Sequence, residues 1–109
     1  MTRAGFLVAL VLFAASPALG RPKALTIAPH CKATTLADLE SFGTGFCMGV
    51  IFEIIDFAES HGICPPSDYT IPKAMEIVSS FAIAHPKVLD SDFDFVAYVA
   101  LQSAWPCKK

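Results

Sequence analysis

The chain has no cluster of lysine and arginine anywhere along its 109 residues. Nucleic acid and anionic lipid are held by basic patches, so that absence argues against both as partners. Only residues 6–15 form a long unbroken apolar run. Ten residues fall short of the roughly 18 that cross a bilayer as a helix. The chain also lacks H-E-x-x-H, G-x-S-x-G, C-x-x-C and any glycine-rich phosphate loop. Those spacings place metal ligands, an activated serine, a redox pair or a nucleotide, so neither catalysis nor a cofactor is expected. No repeat, low-complexity tract or convincing strand pattern is present, and the expected class is all-α.

The first twenty residues read as a secretory signal. Arg3 gives a short basic start, residues 6–15 an apolar middle, and Ala18 and Gly20 small residues before a cut at Arg21. The remaining 89 residues suit one helical domain over residues 21–109. A domain of that size buries only about 60–65% of its unfolded surface, so its core alone is marginal. Cys31, Cys47, Cys64 and Cys107 answer that need as two disulfides formed in an oxidising compartment reached by the Sec route. With Arg3 set aside, seven basic and ten acidic residues leave a formal charge of −3.

The chain is organised around residues 46–60. At 100° per residue, Phe46, Phe57, Val50, Ile54, Cys47, Ala58, Ile51 and Ile55 cover an arc of roughly 180°. A helix buried on two sides is expected, capped by Thr44 after a break at residues 43–45 and ended by His61 and Gly62. Glu53, Asp56 and Glu59 mark its outer strip, beside Gly45, Gly49 and Phe52. A second helix starts at the cap Thr70, carries Pro72 in its first turn, and stops at His85 and Pro86. Ala74, Ile77, Val78, Phe81 and Ala84 form its apolar stripe. A third begins at Asp92, buries Phe93, Val96, Ala97, Ala100, Leu101 and Ala104, and ends at Trp105, Pro106 and Cys107. Pro22 and Pro29 allow only a short helical segment before Cys31, and Thr35 could cap another turn. The predicted fold is a small disulfide-stapled bundle of three main helices plus a short N-terminal helical segment.

Reach decides the disulfides. About thirteen residues of helix carry the chain some 20 Å beyond Cys47. The four residues from Ser60 to Cys64 return at most ~14 Å, which disfavours a Cys47–Cys64 bridge. An up-down-up path brings Cys107 beside Cys64 and leaves Cys31 for Cys47.

Other chemistry has a plainer explanation. His61 and Cys64 could be half of a zinc site, but two further ligands at suitable spacing are missing. Residues 90–94 open like a calcium loop, yet Phe95 and Leu101 stand where its glycine and glutamate belong. Helix capping accounts for the aspartates, and for His30 and His85 at element ends. Gly45 and Gly49 suggest close packing against another helix of the same chain.

Three motifs occur in order: Cys47-Met48-Gly49; Cys64-Pro65-Pro66 before a helix running from Thr70 to His85-Pro86; and Ala104-Trp105-Pro106-Cys107. This set resembles the Rap/Tai immunity-protein family of the bacterial type VI secretion system, over roughly residues 31–107. The resemblance implies a periplasmic, disulfide-bonded helical protein, commonly a homodimer, that binds and blocks a peptidoglycan-cleaving amidase without chemistry of its own. Val50 and Glu53 stand where the family usually has tyrosine and glycine, and Lys73 where glutamine or glutamate is common. On this reading a cell-wall amidase toxin is the protein partner, gripped by the loops at residues 65–69 and 86–92 and by the acidic strip. Phe52, Glu53, Asp56, Lys87, Asp90 and Asp92 are the expected contact residues, with no metal involved. The alternative is a small periplasmic chaperone of the acid-stress type, which suppression of client aggregation at pH 3 would favour.

Overall fold

The computed structural model describes residues 20–32 and 41–108. The proposed signal up to Leu19 and the Thr35-capped turn lie outside them. Among the described residues four α-helices follow one another: α1 (Ala24–Ile27), α2 (Phe42–Asp56), α3 (Ile71–Ala84) and α4 (Phe93–Ala104). Short 3₁₀ turns at Ala28–His30, Glu59–His61 and Pro86–Asp90 join or extend them. Among the described residues extended pairing is limited to two single bridges, Lys23 with Asp92 and Ile63 with Pro106. The class is all-α, with α3 packed against both α2 and α4 and α1 lying across α2 and α4.

α2 starts earlier than its glycines suggest. Ser41 is the cap, its Oγ accepting the Thr44 N–H at 3.1 Å. Thr44, read from sequence as the cap, instead sits buried in the first turn. Its hydroxyl accepts from Ser41 Oγ (2.7 Å) and donates to the His30 carbonyl (3.0 Å). That bond ties α2 to the N-terminal segment, and Gly43 lets the two come close. A Cβ on Gly43 would lie 2.6 Å from His30 Cγ and 2.7 Å from its Cβ. Cys31, next in the chain, is bonded to Cys47, so the histidine backbone has little room to retreat. Gly43→Ala is therefore expected to lower stability by about 1–3 kcal/mol, read as a fall in the urea midpoint at unchanged m-value.

The buried face of α2 is narrower than expected. Gly43, Thr44, Cys47 and Ile51 are buried, while Phe46, Val50, Ile54 and Ile55 are half-buried. α2 stops at Asp56, so Phe57 falls out of helical phase and is 61% exposed. A 3₁₀ turn takes over, and Gly62 at φ 73° ends it in the left-handed conformation that glycine adopts without strain.

α3 has the expected ends. Thr70 Oγ1 accepts the Lys73 N–H at 3.2 Å, and Pro72 sits in the first turn. Its buried face is rotated, however, onto Ala74, Met75, Val78 and Ala82, with Ile77 and Phe81 half-buried and Ala84 exposed. Contact with helices on two sides pulls Met75 and Ala82 inward. His85 closes the helix, its Nδ1 2.9 Å from the Phe81 carbonyl oxygen and its ring stacked 4.1 Å from that of Phe81.

α4 buries Phe93, Val96, Ala97, Ala100 and Leu101 as the pattern requires, but leaves Ala104 exposed. Asp92 occupies the cap position without a side-chain capping bond. The N-terminal segment satisfies the backbone instead: Phe93 N–H donates to Pro22 O, and Ala24 N–H to Ser91 O, each at 2.9 Å.

Two disulfides staple this arrangement, Cys31–Cys47 and Cys64–Cys107, in the pairing expected from chain reach. Around the second, Cys64 N–H donates to Trp105 O at 2.7 Å and Cys107 N–H to Gly62 O at 3.3 Å. No described helix is long and apolar enough to cross a membrane.

Candidate functional site

The outward face of α2 carries the acidic strip. Glu53, Asp56 and, in the next turn, Glu59 are exposed, as is Phe52 at 49%. Gly45 and Gly49 lie on the same face, and a Cβ built on either meets nothing within 4 Å. The expected close packing against another part of the chain is therefore absent among the described residues. These glycines leave that face smooth toward solvent.

Lys87, Asp90 and Asp92 belong to a different region, the 3₁₀ turn and cap between α3 and α4. Lys87 and Asp90 are exposed and Asp92 half-buried. The Lys23 ammonium donates to the Asp90 carbonyl oxygen (2.9 Å) and lies 3.8 Å from its carboxylate. Beside it, Arg21 and Asp94 form an ion pair at 3.0 Å. The residues that opened like a calcium loop are thus engaged with the N-terminal segment: Asp90 with Lys23, Asp94 with Arg21, and Asp92 through its backbone bridge to Lys23. These exposed pairs contribute about 0–1 kcal/mol each, so they orient the segment more than they stabilise it.

Phe52, Glu53, Asp56, Lys87, Asp90 and Asp92 therefore form two groups, with the N-terminal segment between them. A cleft of about 440 Å³ marks the junction, lined by Arg21, Pro22, Phe46, Gly49, Val50, Glu53 and Asp94. Glu53 lines its α2 side.

A larger groove, about 650 Å³, lies at the other end of α2. Ile55, Asp56, Phe57 and Glu59 form one wall, and Pro65, Pro66, Ser67 and Tyr69 the other. It joins two of the three carboxylates of the acidic strip to one of the two loops expected to grip a partner. Its second wall is well fixed. Tyr69 N–H donates to Pro66 O at 3.1 Å, the Tyr69 ring packs 5.9 Å from Trp105, and Cys64 is bonded to Cys107. Phe57 was not among the expected contact residues, and Glu59 was expected only as part of the acidic strip. Phe57 looked like core because its spacing continues the apolar arc of α2; only the early end of that helix turns it outward.

The groove offers apolar area and carboxylates. Cys64 is in a disulfide, and His61 packs edge-on against Tyr98 with ring centroids 5.5 Å apart. Among the described residues no three His, Cys, Asp or Glu side chains converge to hold a metal ion. Exposed apolar side chains beside carboxylates suit the binding of a partner.

No curated protein and no solved structure matches the chain. The family model for Rap1a immunity proteins matches residues 23–107. That match runs from the start of α1 to the last cysteine and takes in all four described helices and both disulfides. The chain belongs to the Rap1a immunity protein family.

Proposed function

We propose that the chain protects the cell that makes it by binding, in the periplasm, a peptidoglycan-cleaving amidase delivered through type VI secretion, and by covering that enzyme's active-site cleft. The family match over the whole disulfide-bonded domain carries this reading. Two disulfides support an oxidising compartment, and residues 1–20 supply the export signal that would bring the chain there. Inhibition needs surface complementarity and no chemistry. Exposed carboxylates beside Phe52 and Phe57, and fixed loops at 65–69 and 86–92, suit such a role. A homodimer, as the resemblance implies, would use the N-terminal half of α2, where Phe42 is 77% exposed and Gly45 and Gly49 permit close approach.

Deleting the gene in cells that make a co-encoded cell-wall amidase tests the role in vivo. Self-intoxication is the expected result, relieved by the chain supplied in trans with its signal and not by a version lacking residues 1–20. Unimpaired growth of the deletion strain, with the amidase present and active, would remove the immunity role.

A further inference from the structure

The groove between the end of α2 and the residue 65–69 turn has a lining of mixed character. Phe57 offers a ring that is 61% exposed, and Pro65, Pro66 and Tyr69 face it across the gap. Asp56 and Glu59 are exposed on the same wall, and no lysine, arginine or histidine lines the groove. The three described ion pairs, Arg21–Asp94, Lys23–Asp90 and Lys73–Glu76, all lie elsewhere. An apolar floor rimmed by uncompensated negative charge is complementary to a chain segment that alternates apolar and cationic side chains. The prolines, the Tyr69–Trp105 contact and the Cys64–Cys107 bond hold the residue 65–69 wall in place before anything binds, which limits the ordering cost of binding.

We infer that this groove takes an extended, lysine- or arginine-bearing segment of a partner protein, its apolar side chains against Phe57 and Tyr69 and its cations beside Asp56 and Glu59. A second copy of the chain fits poorly here. Two-fold pairing sets the same patch against itself, carboxylates facing carboxylates. Phosphate-bearing ligands meet the same repulsion. That the segment belongs to the amidase rests on the function proposed above; the chemistry of the groove does not.

The test uses the exported, oxidised chain labelled with ¹⁵N. It is titrated with a short synthetic peptide of lysine, leucine and serine, and with a twin carrying glutamate for every lysine. The lysine peptide shifts amide signals within residues 55–60 and 67–69, and its glutamate twin leaves them unmoved. Raising NaCl from about 50 to 300 mM weakens binding about tenfold. Asp56→Asn with Glu59→Gln weakens it about tenfold as well, while Glu76→Gln, outside the groove, does not. All three positions are exposed, and an unchanged thermal transition confirms intact folding of each variant. The inference is overturned if the lysine peptide leaves those amides unmoved, or if the double variant binds it unchanged. Concentration-dependent shifts of the same amides without peptide would also overturn it, in favour of a second copy. The amidase separates the two proposals. Equal binding of amidase by wild type and double variant leaves immunity standing and overturns the groove as the toxin's seat. Peptide binding in the groove without amidase binding does the reverse.

Discussion

Replacing Cys64 and Cys107 together by alanine is expected to lower the stability of the domain by about 4 kcal/mol and its Tm by about 15–30 °C. The bond closes a loop of 43 residues in sequence separation, which contains the whole of α3 and of α4. Releasing a loop of that length restores much conformational freedom to the unfolded chain. Cys31–Cys47, with a separation of 16, should contribute about 3 kcal/mol by the same reasoning. Small domains are stable by only about 5–15 kcal/mol, so either loss is a large fraction of the whole. The second bridge also holds a piece of surface. Without it the Cys64 N–H bond to Trp105 O and the Tyr69–Trp105 contact lose their anchor, and the residue 65–69 wall of the groove is freed. Binding by that wall should therefore weaken before the domain unfolds. Denaturation of the double variant followed by circular dichroism checks the first claim. A Tm change under about 5 °C would show that packing alone holds the bundle.

Phe93→Ala is expected to cost about 3–5 kcal/mol. The ring is fully buried at the first turn of α4, 6.1 Å from the half-buried Phe46 ring of α2. Its own N–H joins α4 to Pro22, so the cavity would open where the N-terminal segment, α2 and α4 meet. Phe93→Leu keeps most of the volume and should cost less than about 1.5 kcal/mol. Phe95, two residues on and 56% exposed, supplies the contrast: Phe95→Ala should stay within about 0.5 kcal/mol of wild type. Urea titrations of the three variants decide it. Similar midpoints for Phe93→Ala and Phe95→Ala would mean that α4 is not seated as described.

Much of the bundle is written locally in the chain. Thr70 and Pro72 start α3, His85 and Pro86 stop it, and Trp105 and Pro106 end α4, because a cap or a proline acts on its immediate neighbours. The cystine pairing was readable too, since reach along a helix and back is arithmetic. What escaped depends on contacts far apart in sequence. Residues 43–45 look like a break until Thr44 is seen bonded to His30 and Gly43 pressed against that ring. Met75 and Ala82 turn inward only because α3 has neighbours on two sides. The groove is the clearest instance. Asp56, Glu59 and the loop at 65–69 were each visible, but their meeting across one concavity depends on the reversal that Gly62 and the Cys64–Cys107 bond impose. For Glu53 the sequence marked a departure from the family pattern, and the structure places it in the cleft that divides the two groups of expected contacts.

The most direct measurement of the proposed role is hydrolysis of purified peptidoglycan by a cell-wall amidase encoded beside the gene, as the oxidised chain is added in rising amounts. Activity should fall in proportion to added chain and vanish once every enzyme has one inhibitory surface, with the complex persisting through gel filtration. Undiminished hydrolysis at a large molar excess of folded, oxidised chain, with the two proteins eluting apart, would contradict it.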